Sequence, residues 1–285
     1  NLYKLERVMS KEKSQKIYKL CSKALDMIEK INNELNSDTE FKRQDSIYFT
    51  NKFMQKANMS KEFKARKEAG FESNLINSHS MLNINSGIFT KDASIVFNPY
   101  KFTQELFEYL NTNYNVEIFE NTSVERVKSH QYGVECKTNN NFKIKASSLI
   151  FTSGLDTLKY FDDNNIIELY KNFTIVSSPL IDKEHLKNRS VNFTARDSID
   201  PNHYLRFDNE GRIIFSGENT RYTQKFLDKK YLKHVSEDKY KKLINYLDKL
   251  FNSDYEIPID YTYSSTYVGT KDNLSIIDEL PNMAN

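Results

Sequence analysis

FNPYKFTQELFEYLNTNYNVEIFENTSVERV, residues 97–127, is the stretch that decides the fold class. Asn98 followed by Pro99 starts a helix, because the Asn side chain caps free backbone amides and the fixed φ of proline suits the first turn. Phe102, Leu106, Tyr109 and Leu110 recur at helical spacing and predict its buried face. Val116 to Phe119 (VEIF) is short, apolar and β-prone, so a strand is expected directly after the helix. Three brief alternating segments follow, Ser123 to Lys128, Gly133 to Thr138 and Phe142 to Ala146, and Leu149 to Thr152 (LIFT) predicts a further strand running into Ser153-Gly154. Helix, strand, three-stranded meander and strand, in that order, predict a mixed α/β fold.

Towards the N-terminus, Ile17, Leu20, Cys21, Ala24, Leu25, Ile28, Ile31 and Leu35 lie on one stripe of a predicted helix, ended by Asn36-Ser37-Asp38. Ser46 to Thr50 (SIYFT) reads as a strand, and Lys61 to Ala69 as a charged helix stopped by Gly70. Towards the C-terminus the pattern turns β-rich. Phe173 to Leu180 is one strand, and Tyr204 to Phe207 with Arg212 to Phe215 form a hairpin across Asp208-Asn209-Glu210-Gly211. Ser236, with Glu237 and Asp238 in the first turn, is expected to open a helix facing inward through Tyr240, Leu243, Ile244, Leu247, Leu250 and Phe251. Ile259 to Tyr267 predicts a long strand, on which Tyr263 and Tyr267 share a side. No linker or repeat separates these parts, so two domains would have to interleave in sequence.

Composition narrows the function. With 18 Tyr and 19 Phe in 285 residues the chain is a folded protein, and 41 Lys and Arg against 39 Asp and Glu give no electrostatic case for nucleic acid or an acidic membrane. Two cysteines without CxxC spacing, no signal-peptide pattern and no apolar run near the roughly 18 residues of a spanning helix predict a soluble, cytoplasmic protein. His79, His130, His185, His203 and His234 share no ligand spacing, so no metal site is expected. Seven glycines include no GxGxxG and no GxxxxGK pattern, so the sequence has no phosphate-cradling loop.

Four blocks in a fixed order resemble the D-amino-acid oxidase, glycine oxidase and sarcosine oxidase superfamily of FAD enzymes, and the resemblance covers nearly the whole chain, from about Asn1 to Asn285. FNPYKFTQEL with VEIFENTSVERV is similar to the family's NP-type helix and following strand, and LIFTSG to its VVxATG strand end. HYLRFDNEGRIIFSGENTR, from His203 to Arg221, is similar to the family's substrate-domain hairpin. Read from its residues alone, it leaves Arg206 and Arg221 available to hold an anion or to sit in surface ion pairs. YTYSSTYVGTKDNLSIIDELP, from Tyr261 to Pro281, is the most specific block, and GTKD at Gly269 to Asp272 matches the glycine oxidase form closely. Asn273, Ser275 and Asp278 depart from the family's Gly, Pro and Gly, and Tyr267 stands where glycine oxidases place a carboxylate-binding arginine.

The resemblance implies a partial FAD-binding domain with a β-meander, plus a substrate domain on a mixed, largely antiparallel sheet with flanking helices. Its segments would be 1–40, a helix following the dinucleotide unit; 41–95, substrate domain; 96–156, partial FAD domain; 157–271, substrate domain; and 272–285, the return to the FAD domain. It implies FAD contacts from Val124, Thr152, Ser153, Gly154, Thr270 and Asp272, and a small amine or amino-acid substrate bound by Arg206, Tyr263, Tyr267 and Arg221. The implied reaction is hydride transfer to the flavin, followed by release and hydrolysis of the imine. Since both flavin clamps of the family are missing, the chain is expected to be a truncated part of such an enzyme that does not itself retain FAD. A non-catalytic binding module and a dehydrogenase using another acceptor than oxygen are the alternatives.

Overall fold

The computed structural model describes residues 1–35, 37–160, 167–180, 191–223, 228–251, 257–270 and 274–279. In chain order these form α1 (Leu2–Val8), α2 (Lys11–Leu35), β1 (Lys42–Thr50), α3 (Lys56–Glu68), β2 (Asn74–Ile76), β3 (Ser86–Val96) and α4 (Pro99–Tyr114). Then follow β4 (Val124–His130), β5 (Gly133–Thr138), β6 (Lys143–Ala146), β7 (Ile167–Ser177), β8 (Phe193–Asp197), β9 (Tyr204–Phe207), β10 (Ile213–Arg221), α5 (Lys229–Phe251) and β11 (Ile259–Thr270). The chain divides into two compact units. The first comprises Asn1–Tyr109, Asn172–Asn219 and Lys225–Ser264; the second comprises Leu110–Lys171, Thr220–Gln224 and Ser265–Asn285.

The principal sheet has the order β11-β7-β10-β9-β8-β1-β3-β2. β1 runs parallel to β8, whereas β1 with β3, β2 with β3, β8 with β9 and β9 with β10 are antiparallel. The expected mixed, largely antiparallel sheet is therefore present. Alternation along the strands sends Phe193, Ala195, Leu205, Phe207, Ile213 and Phe215 to one face. There α5 lays Leu243, Leu247 and Leu250 over them, the helical face read from the sequence. On the other face α3 covers only part of the sheet, through Met59 against Tyr48 and Ile88.

Local signals explain the ends of the elements. The Asn98 side chain accepts from the amides of Tyr100 and Lys101, each at 3.2 Å, and Phe97 packs on Phe102 with ring centroids 5.1 Å apart, a capped and stapled helix start. α5 begins at Lys229 and not near Ser236, because the Asp228 side chain takes the amides of Lys230 and Tyr231. α2 is longer than expected, and its stripe is not a core stripe. The helix packs on α1 and β3, which leaves Leu20, Cys21 and Ala24 exposed.

In the second unit β4, β5 and β6 form the expected antiparallel meander. The two strands expected to flank it are absent: 115–119 and 147–153 have no strand conformation, and Phe119 is 65% and Ile150 83% exposed. A strand exists by virtue of a hydrogen-bonded neighbour. Among the described residues neither segment has one, so β-propensity alone leaves both as extended coil.

A buried polar cluster lies in the first unit. Asp197, fully buried, accepts from the His203 amide at 2.9 Å, the Ile199 amide at 3.2 Å and the Tyr246 hydroxyl at 2.9 Å, and its Oδ2 lies 2.7 Å from His203 Nδ1. The His203 ring lies against Tyr246 at 4.5 Å and Phe215 at 5.5 Å, and those two rings are themselves 5.9 Å apart, so the three form one cluster. A Cβ on Gly217 would lie 2.4 Å from the imidazole, so glycine is required for this approach. The next residue, Glu218, at φ 52°, turns its carboxylate to His203 Nε2 at 3.5 Å and Lys239 Nζ at 3.0 Å.

Burial pushes the Glu218 carboxyl up, but the hydrogen bond and charge of Lys239, helped by His203, outweigh it and hold the group below the usual carboxylate range. A lowered carboxylate stabilises the fold above its unfolded pKa, and this contribution is lost as pH falls through the folded value. Glu218→Gln should therefore be less stable than the parent protein near neutrality. The gap should shrink as denaturant unfolding is repeated from about pH 7 to about pH 3; a gap that holds constant would exclude this linkage.

Candidate functional site

The second unit contains a cavity of about 1420 Å³. Its wall is built from Val127 of β4, the turn and first residues of β5 (131–134), the coil 147–152 with Gly154 and Thr157, Ile167, Tyr267 to Thr270 of β11, and 274–279. Much of this wall is coil, and Ile150, Ile276 and Ile277 are among its apolar residues. Gly154 has φ 59°, and a Cβ there would meet no atom within 4 Å; the glycine serves the backbone turn and not a close contact.

Beside the cavity, Tyr170 stacks on Tyr267 with centroids 5.7 Å apart and donates its hydroxyl to Glu168 at 2.5 Å. That hydrogen bond, with burial and the carboxylate charge adding to it, pushes the Tyr170 phenol up. Arg221 lies 3.2 Å from the other Glu168 oxygen. A Cβ on Gly269 would sit 3.0 Å from two ring carbons of Tyr170, so the glycine of the Gly-Thr-Lys-Asp run is what lets this ring lie flat on β11. Gly269→Ala should displace the stack and cost about 1–3 kcal/mol by overpacking. Unchanged thermal unfolding together with unchanged tyrosine near-ultraviolet circular dichroism would contradict it.

A second cavity, of about 350 Å³, opens within the first unit on the face of the principal sheet that α3 covers only in part. Arg196 and Arg206 line it with the hydroxyls of Ser46, Ser94, Thr194, Tyr204 and Ser216, and its lining has no Asp or Glu.

Over residues 4–285 the chain matches the family described as FAD dependent oxidoreductase. The chain belongs to that family. No curated protein sequence matches it. Glycine oxidase from Geobacillus kaustophilus is similar in structure, with a TM-score of 0.71 at 14% identity over 93% of this chain and 70% of that one. L-amino acid deaminase from Proteus vulgaris follows at 0.66 and 12% over 90% and 71%, and L-proline dehydrogenase from P. horikoshii at 0.64 and 17% over 91% and 70%. At these identities the likeness is one of fold.

In this member of the family the residues singled out from sequence fall in several places. Thr152, Gly154, Thr270 and Tyr267 line the large cavity. Ser153 adjoins the lining and bonds Thr157 through its hydroxyl at 2.9 Å. Thr270 donates to the Leu274 carbonyl at 2.7 Å, which fastens the chain as it leaves β11. Val124, at the start of β4, is exposed and outside the lining, and Asp272 lies outside the described residues. Arg221 stands beside the tyrosine stack, Arg206 lines the sheet-face cavity, and Tyr263, half-exposed on β11, lines neither cavity. Arg206 and Tyr267, expected to face one cavity, thus line two different ones. Tyr170, Glu168 and Arg196 were not legible as site residues, since each depends on a cross-strand neighbour that one sequence does not reveal.

The large cavity suits part of the family's cofactor. Apolar side chains and coil backbone groups fit a fused ring system and a ribose. For a diphosphate the lining offers no Lys or Arg among the described residues, and it carries Asp278 and Glu279. Among the described residues, no helix is long and apolar enough to cross a membrane and no group of His, Cys, Asp and Glu could hold a metal ion.

Proposed function

We propose that this chain orients an amine or amino acid for oxidation at its CH–NH bond, with Arg206 as the anchor for a substrate carboxylate. The observation that carries the reading is the sheet-face cavity, where Arg206 makes no ion pair among the described residues and stands among hydroxyls with no carboxylate in the lining. A guanidinium offers a forked pair of donors that matches a carboxylate, which fixes the substrate in direction as well as position. FAD, when bound, supplies the hydride acceptor. Thr152, Gly154 and Thr270, with the adjoining Ser153, are assigned to the cofactor side, whereas Tyr263, Tyr267 and Arg221 do not line the Arg206 cavity and are not part of this anchor. Oxidation removes hydride and a proton from the substrate CH–NH unit, and water hydrolyses the released imine.

With FAD supplied in large excess and oxygen excluded, an amino-acid substrate should bleach the flavin. Arg206→Met should raise the half-saturating substrate concentration by roughly 30-fold or more, the usual consequence of removing one partner of a bound charge pair. An unchanged half-saturation removes Arg206 from the site. Peroxide formed on readmitting air separates an oxidase from a dehydrogenase with another acceptor.

The absence of Lys and Arg from the described lining of the large cavity favours a second reading, a non-catalytic small-molecule-binding module of the same fold. The purified 285-residue chain is expected to be colourless, and a yellow preparation with stoichiometric FAD would overturn this.

A further inference from the structure

We infer that the sheet-face cavity takes a substrate bearing two acidic groups, one held by Arg206 and the other by Arg196. The inference rests on the reading of Arg206 given above and extends it from a carboxylate to a substrate class. Arg196 is the cross-strand partner of Tyr204 in the β8–β9 ladder, and Arg206 lies two residues further along β9. Strand alternation puts both arginines on the face opposite Ala195 and Leu205, which are buried in the core. They are diagonal neighbours, a separation that long side chains span easily.

Their charges are not cancelled locally. Arg196 lies over the Tyr204 ring at 5.1 Å, and the Asn202 side-chain oxygen, in the amide orientation that satisfies its neighbours, accepts from its Nε and Nη2; both partners are neutral, so they position the guanidinium and leave its charge in place. The buried carboxylate of Glu62 is already paired with Arg66 at 2.9 Å. Two cations at diagonal positions repel each other, and a ligand with two acidic groups relieves that repulsion, meeting the Arg206 fork and the Arg196 donor that Asn202 leaves open. Ser46 and Thr194 face each other across β1 and β8, and Ser216 is opposite Tyr204, so hydroxyl donors stand on both sides of the arginines. At about 350 Å³ the space admits a compact ligand such as a dicarboxylic amino acid and excludes a long side chain.

The test is calorimetric titration of the full 285-residue chain at low salt with succinate and with butyrate, which have equal carbon counts and differ in one carboxylate. Succinate should bind about tenfold tighter or better. Arg196→Met should bring succinate to the level of butyrate and leave butyrate unchanged, and Arg206→Met should weaken both. Arg196→Lys, which keeps a charge for the second carboxylate, should retain part of the preference. If butyrate binds and succinate binds no better, the two-acid inference falls while Arg206 stands as an anchor. If neither binds, both fall. If Arg196→Met weakens the two ligands equally, Arg196 is not a reader of the second acid and the inference falls. Should Arg196→Met not fold, the parent comparison and Arg196→Lys still decide.

Discussion

Asp197→Ala is expected to lower the unfolding free energy by about 3–5 kcal/mol, the usual cost of removing one partner from a buried, hydrogen-bonded charged group. The carboxylate serves the amides of His203 and Ile199, the Tyr246 hydroxyl and the imidazole Nδ1, and alanine leaves these donors in a dry site. Each orphaned buried donor costs about 1–3 kcal/mol, so the summed penalty is consistent with that range once the site relaxes. Asp197→Asn keeps the shape and one acceptor oxygen and should be the milder substitution. Equilibrium urea unfolding of both variants checks the ranking. An alanine variant within about 0.5 kcal/mol of the parent protein would place the cluster among the neutral surface features.

The cluster also marks where sequence reading reaches its limit. The hairpin at 204–215 and the β4–β6 meander were legible because their determinants are local: alternation, and a turn in which Asp208 accepts from Glu210 and Arg212 while Gly211 adopts φ 71°. The inward face of α5 was legible for the same reason. β8 was not. Its buried side carries Phe193, Ala195 and then Asp197, and an acid in an inward position hides the pattern unless its partner is known. That partner is Tyr246, 49 residues away on α5. VEIF and LIFT fail in the opposite sense, with strand composition and no neighbour among the described residues. The two arginines of the sheet-face cavity show the same division. Arg206 was singled out from its block, and Arg196 gains meaning only from the β8–β9 register.

Phe215→Ala should cost about 3–5 kcal/mol, and its coupling to Asp197 is the more informative quantity. The ring is 1% exposed and lies nearly parallel to both His203 and Tyr246, at interplanar angles of 9° and 8°. Truncation opens a cavity beside the imidazole and removes the ring that packs on both His203 and Tyr246. Phe215→Leu retains most of the volume without the flat face, so the difference between leucine and alanine separates filling from stacking. If the His203 ring transmits both effects, the Asp197→Ala, Phe215→Ala double variant should lose less than the sum of the single variants, by about 0.5–3 kcal/mol, since the second substitution acts on an already loosened ring. Strict additivity would mean that the carboxylate and the aromatic wall support the sheet and α5 independently. The imidazole would then be a bystander between them, and the stability of this face would rest on burial alone.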